Sequence, residues 1–165
     1  MKKKGIGNWL CLVACALAVA GLVLYTMAVN AGTGLQVASG SDLFYDMARP
    51  EDAEMAAKVL PFGIAAIALF AASFIFSQFT SGKFGELLAG LCRIAAPAVV
   101  LITILYFAYG SFTGMGWTFF SNKELEIYPQ ATAVGQQVIT AVVVYVLSML
   151  VGIISAFCKL PKKAD

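Results

Sequence analysis

The sequence predicts an all-α membrane protein: a four-transmembrane-helix antiparallel bundle, N-in and C-in, carrying a small extracytoplasmic β cap. Three observations carry that prediction. Four apolar stretches, at about residues 9–29, 59–77, 87–109 and 133–158, are each long enough to cross a hydrocarbon layer of about 30 Å. The chain is 61% hydrophobic and only 12% charged, with a mean hydropathy of +0.86, whereas soluble domains run about 45–50% apolar and about 25% charged. The third observation is charge asymmetry. The side shared by the termini holds Lys2, Lys3, Lys4, Lys83, Lys159, Lys162 and Lys163, with Arg93 just inside the membrane. The other side holds Arg49, Lys58 and Lys123 beside seven acids. Eight basic residues against three, over short loops, is a positive-inside pattern.

The chain therefore reads as one domain, 1–165, with outer loops at 30–58 and 110–132, in the plasma (inner) membrane. The opening MKKKGIGNWL has the basic-then-apolar order of a secretory signal, and Leu12-Val13-Ala14-Cys15 matches a bacterial lipobox. The apolar run continues well past Cys15, however: Trp9 to Val29 is 21 residues without a charge, which reads as an uncleaved transmembrane helix. The loop that follows is rich in Gly, Ser and Asp. Pro50-Glu51-Asp52 then predicts a helix start, because proline suits the first helical position and acids complement the positive end of the helix dipole. That helix enters the membrane near Val59, with Pro61 a kink near the surface.

A short turn holding Lys83 leads to the third span, which contains Arg93 and Pro97. In the second outer loop, Trp117–Phe120 and Leu125–Tyr128 alternate and are β-prone, with SNKE between them, which predicts a hairpin. Gly34–Ala38 in the first loop is expected to add a third strand. The fourth span ends in a lysine-rich tail.

Arg93 is the conspicuous polar residue. A charge inside the bilayer is costly and marks a function by default. Its favoured reading is nevertheless a snorkelling anchor. Helical side chains lean toward their own N-terminus, here the cytoplasmic side, and Glu86 on the same face offers a counter-charge near the surface. An internal or intersubunit pair and a ligand site are the other readings. Pro97 removes one backbone hydrogen bond and kinks the span.

Small residues recur at helical spacing: Ser148, Gly152 and Ala156 on the fourth span, Ala14, Ala18 and Gly21 on the first, and Ala65, Ala68 and Ala72 on the second. Such faces let helices approach closely, within one chain or between chains. Outside, Trp117, Phe119, Phe120 and Tyr128 crowd near Asp42, Asp46, Glu124 and Glu126. Aromatic faces with carboxylates suit a cation or sugar, although an interfacial aromatic belt accounts for them as well.

The chemistry expected is sparse. Histidine is absent and the four cysteines show no CxxC spacing, so no metal, cofactor or catalytic residue is expected, and Cys11, Cys15, Cys92 and Cys158 read as small buried hydrophobes. No basic soluble face is present for nucleic acid. Three known four-span families share the architecture without the residues that define them. Small multidrug exporters need a carboxylate in the first helix, which here has none. Vitamin K epoxide reductase-like proteins need a CxxC pair. Claudin-like proteins carry cysteines and a tryptophan motif in the first outer loop, whereas Trp117 lies in the second. The expected function is a non-catalytic accessory or interaction subunit of a larger membrane or cell-surface assembly. Its partners are the lipid bilayer and another membrane protein or a second copy. The alternative is a small oligomeric channel or transporter.

Overall fold

The computed structural model describes residues 5–33, 39–45, 49–79, 82–122 and 128–158. Four helices are long and apolar enough to cross a membrane, which makes this a multi-pass membrane protein. They are α1 (Ile6–Asn30), α3 (Pro50–Phe79), α4 (Lys83–Gly116) and α5 (Pro129–Phe157), with a short α2 (Gly40–Phe44) on the way from α1 to α3. In lipid every backbone N–H and C=O must be satisfied within the chain, and an uninterrupted helix does this by itself. Pro50 opens α3 and Glu51 and Asp52 occupy its first turn, as the sequence predicts.

Helices α3 and α4 pack together along their length, as do α1 and α5, and the two pairs close a ring in the order α1, α3, α4, α5. Small residues set how near the helices come. Tyr145 of α5 stands between α1 and α3: a Cβ on Gly21 would lie 3.1 Å from its ring, and one on Gly63 would lie 3.0 Å from its hydroxyl. Lower in the bundle, Phe70 of α3 reaches Gly152 of α5, where a Cβ would lie 2.8 Å from Cζ. The core is thus built from large rings seated on glycines, with Ala14, Ala18, Ala66, Ala96 and Ala141 wholly buried among them. Tyr25 and Phe107 meet edge to face at 4.7 Å nearer the loop end.

That end is closed by the first loop. Gly40 N–H donates to the Ala31 carbonyl at 2.8 Å, folding the chain back over α1. Ser39 precedes α2, and its backbone N–H and hydroxyl both donate to the Asp42 carboxylate, at 3.1 and 2.7 Å. Phe44 and Tyr45 are buried as a result, with the Tyr45 ring against Gly110 and the Leu43–Phe44 backbone against Gly114. No other residue would leave room for those approaches.

One expected strand of the β cap is where the structure departs from the sequence reading. Trp117–Phe120 was expected as a strand; Trp117–Asn122 is a π-helical continuation of α4. Continuing the helix satisfies the backbone internally, and Thr118 adds a bond from its hydroxyl to the Gly114 carbonyl at 2.8 Å. Thr118 and Phe119 then pack on Gly135 of α5, which holds the extra turn in place. The only β pairing among the described residues is a bridge between Gly32 and Ser39. Residues 34–38 and 123–127, which include the other expected strands, lie outside the described residues.

Candidate functional site

A guanidinium keeps its charge at any physiological pH, and burying it unpaired costs several kcal/mol, on the order of a whole protein's margin of stability. Arg93 sits on the inward stripe of α4, between the buried Ala89 and Ala96, and is itself 2% exposed. Its Nη2 donates to Asn8 Oδ1 at 2.6 Å and its Nε to Ser73 Oγ at 3.4 Å, and the Ser73 hydroxyl donates onward to the Ala89 carbonyl at 3.0 Å. One side chain on α4 thereby ties α1 and α3 together. Gly7 makes room for it: a Cβ there would lie 3.0 Å from Arg93 Nη1 and 2.7 Å from the Cβ of Cys158. The knot therefore sits where α1 begins and α5 ends.

This knot is rich in donors. Among the described residues, Arg93 Nη1 and Asn8 Nδ2 are buried with no hydrogen-bond partner, and the partners of Arg93 are neutral. Arg93 does not extend to water beside Glu86, which is exposed on the first turn of α4. Asn8 and Ser73 supply acceptors across the bundle, so the side chain turns inward. Pro97, one turn further along α4, is buried, and its ring lies 3.3 Å from the position of a Gly152 Cβ.

The small-residue faces divide. Ala14, Ala18 and Gly21 are buried on α1, and Ser148 and Gly152 are buried on α5. The Ser148 hydroxyl donates to the Ala14 carbonyl at 2.7 Å, which joins those two faces directly. Ala156 is half-buried, and Ser155 holds the buried position beside it. On α3 the expected stripe turns outward: Ala65 and Ala68 are exposed and Ala72 half-buried. The core face of α3 uses Val59, Gly63, Ala66, Phe70, Ser73 and Ser77 instead.

The outer candidates are dispersed. Asp42 serves as the cap of α2. Trp117 faces Tyr128 with ring centroids 6.5 Å apart, Phe119 packs on Gly135, and Phe120 is exposed. Asp46, Glu124 and Glu126 lie outside the described residues. A cleft of about 620 Å³ opens beside α4 instead, lined by Arg49, Glu51 and Asp52 from the start of α3 and by Leu105, Tyr109 and Phe112. One turn deeper, Lys58 pairs with Glu54 at 2.6 Å and lies 5.3 Å from the Tyr106 ring centroid.

No family model, curated protein or solved structure matches the chain. The site therefore rests on its own geometry. The cysteines contribute thiols to packing: Cys11 is buried with Sγ 3.4 Å from the Phe70 carbonyl, and all four are free. Among the described residues no group of three His, Cys, Asp or Glu side chains could hold a metal ion.

Sequence reading picked out Arg93 and missed Asn8 and Ser73. The signal was present for Asn8, an amide in the opening turn of a span, where a polar group needs a partner. The cleft was missed because Arg49, Glu51 and Asp52 are more than fifty residues from Tyr109 and Phe112.

Proposed function

We propose that the protein is a non-catalytic subunit of the plasma membrane, N-in and C-in, that docks onto another membrane protein or a second copy of itself through α3. The observation that carries this reading is the outward alanine stripe. At 100° per residue, Ala57, Pro61, Ala65, Ala68 and Ala72 fall within about 80° of arc, opposite the core-facing Val59, Gly63, Ala66 and Phe70. Ile64 and Ile75 border the stripe and are about half exposed. In lipid, burial of apolar surface does not drive helices together; close backbone approach at small residues does. The equivalent faces on α1 and α5 are consumed within the bundle, whereas this one is left uncovered by the described residues.

The packed interior supports a subunit over a single-chain conduit. Tyr145, Phe70 and Phe107 fill the middle, and Phe44 and Tyr45 cover the loop end. The sidedness rests on the positive-inside count. In-membrane photo-crosslinking separates the readings. A crosslinker at Ala65 or Ala68 is expected to give one discrete adduct, while the same group at Val19 or Val23 on α1 gives none. Replacing Ala68 with Trp should abolish the adduct without unfolding the chain. Absence of adducts at both α3 positions, together with solute flux in liposomes holding only this protein, would favour the channel instead.

A further inference from the structure

We infer that the cleft beside the outer end of α4 binds the headgroup of a phospholipid, and that the headgroup is phosphatidylethanolamine. The cleft lies at the end of the bundle away from the chain termini, where α3 begins and the apolar part of α4 finishes. Its volume of about 620 Å³ is larger than a few waters need and is of headgroup size. Its walls carry both signs of charge. Arg49 is placed for a phosphate, and the Glu51 and Asp52 carboxylates for an ammonium. The exposed Tyr109 and Phe112 supply aromatic surface beside them, suited to the glycerol region and to a cation.

Two apolar grooves adjoin the cleft and share its walls. One, of about 320 Å³, is formed by Met55, Leu105, Tyr106 and Tyr109 between α3 and α4. The other, of about 280 Å³, runs between α4 and α5 past Phe112, Met115, Val138, Ile139, Val142 and Val143. A charged cleft flanked by two greasy grooves, all open at the surface of the bundle, fits a two-chain amphiphile better than a soluble solute.

The charge balance selects the headgroup. Among the described residues the cleft offers two carboxylates to one guanidinium, which disfavours a lipid that brings only negative charge, such as phosphatidylglycerol. A primary ammonium donates N–H bonds to both carboxylates; a choline group has none to give. At the start of α3 these acids also complement the helix dipole, so they serve the fold as well as the lipid. The face involved is separate from the alanine stripe of α3, so the proposal stands or falls independently of docking.

The test uses the full chain reconstituted in liposomes of equal parts phosphatidylethanolamine, phosphatidylglycerol and phosphatidylcholine. The protein is re-extracted in mild detergent and its retained lipid read by native mass spectrometry. The expected result is one phosphatidylethanolamine per chain, enriched several-fold over its share of the bilayer. The paired substitution Glu51→Gln with Asp52→Asn removes the enrichment, and so does Leu105→Trp, which fills the cleft from α4 without altering charge. Thermal unfolding of each variant confirms that the bundle persists. Retained lipid in the bilayer's own ratio would overturn the assignment. So would enrichment of phosphatidylglycerol or phosphatidylcholine, or enrichment of phosphatidylethanolamine that survives both sets of substitutions.

Discussion

Arg93 and Asn8 are 85 residues apart in sequence, yet Nη2 of one lies 2.6 Å from Oδ1 of the other. The contact fastens the start of α1 to α4 at a place where α5 also ends and where Ser73 of α3 takes a second bond, so all four spans converge on one guanidinium. Replacing Asn8 with Ala removes the shortest bond made by a buried charge. The expected cost is about 1.5–3 kcal/mol, read by unfolding in mixed micelles. Pairing Asn8→Leu with Arg93→Met should recover much of that loss, because an apolar pair leaves no buried charge behind. Equal destabilisation by the single and double variants would show that the bond contributes little.

Ser148 and Gly152 act by different means on the same face of α5. Ser148→Ala deletes the bond to the Ala14 carbonyl and should cost only about 0.6 kcal/mol, typical of interhelical bonds in membranes. Gly152→Val, in contrast, places atoms against Phe70 and Pro97 and should cost about 1–3 kcal/mol through overpacking. The same unfolding titration ranks them, and a reversed order would contradict this packing.

Gly114 is predicted to be intolerant of any side chain. A Cβ there meets the Leu43 carbonyl and the Phe44 backbone, neither of which can move without lifting α2. Gly114→Ala is therefore expected to uncover Tyr45, seen as faster proteolysis in the first loop, with the four spans still helical by circular dichroism. At Gly116, where a Cβ would meet nothing within 4 Å, alanine should leave the proteolysis rate unchanged.

The Glu54–Lys58 pair gives a pH signature. The hydrogen bond from Lys58, and then its charge, hold the Glu54 carboxyl below its usual range. Lys58 is raised by the hydrogen bond it donates to Glu54, against a smaller opposing effect of burial. A lowered carboxylate contributes stability above its ordinary pKa and loses it as pH falls through the depressed value. A raised ammonium contributes below its ordinary pKa and loses it as pH rises through the elevated one. The pair is therefore intact across neutral pH. Both groups are exposed, so carbon NMR of Glu54 should show a midpoint below that of an ordinary glutamate, moving back as salt is added.

Membrane character was legible in the sequence because it depends on local quantities. The length of an apolar run, the absence of charge within it and the proline and acids at Pro50-Glu51-Asp52 are read over neighbouring residues, and lipid forces the backbone of such runs into helices whatever surrounds them. The segment Trp117–Phe120 was misread for the complementary reason. Alternation over Trp117–Phe120 is a weak local signal, and the fit of Thr118 and Phe119 against Gly135 on another helix overrode it.

Orientation within the bundle was likewise beyond sequence. Spacing alone marked the stripes Ala14–Ala18–Gly21 and Ala65–Ala68–Ala72 as equivalent, but the tertiary structure buries the first against α5 and turns the second to the outside. The periodicity of an alanine stripe is the same on either side of a helix, and in a membrane the lipid-facing side is as apolar as the core. For the same reason Arg93 announced itself by its charge, whereas its direction was decided by Asn8 and Ser73, which only packing brings within reach. The sequence determined four spans and one costly cation; only the tertiary arrangement decided which faces meet, because contacts between distant residues leave no local pattern.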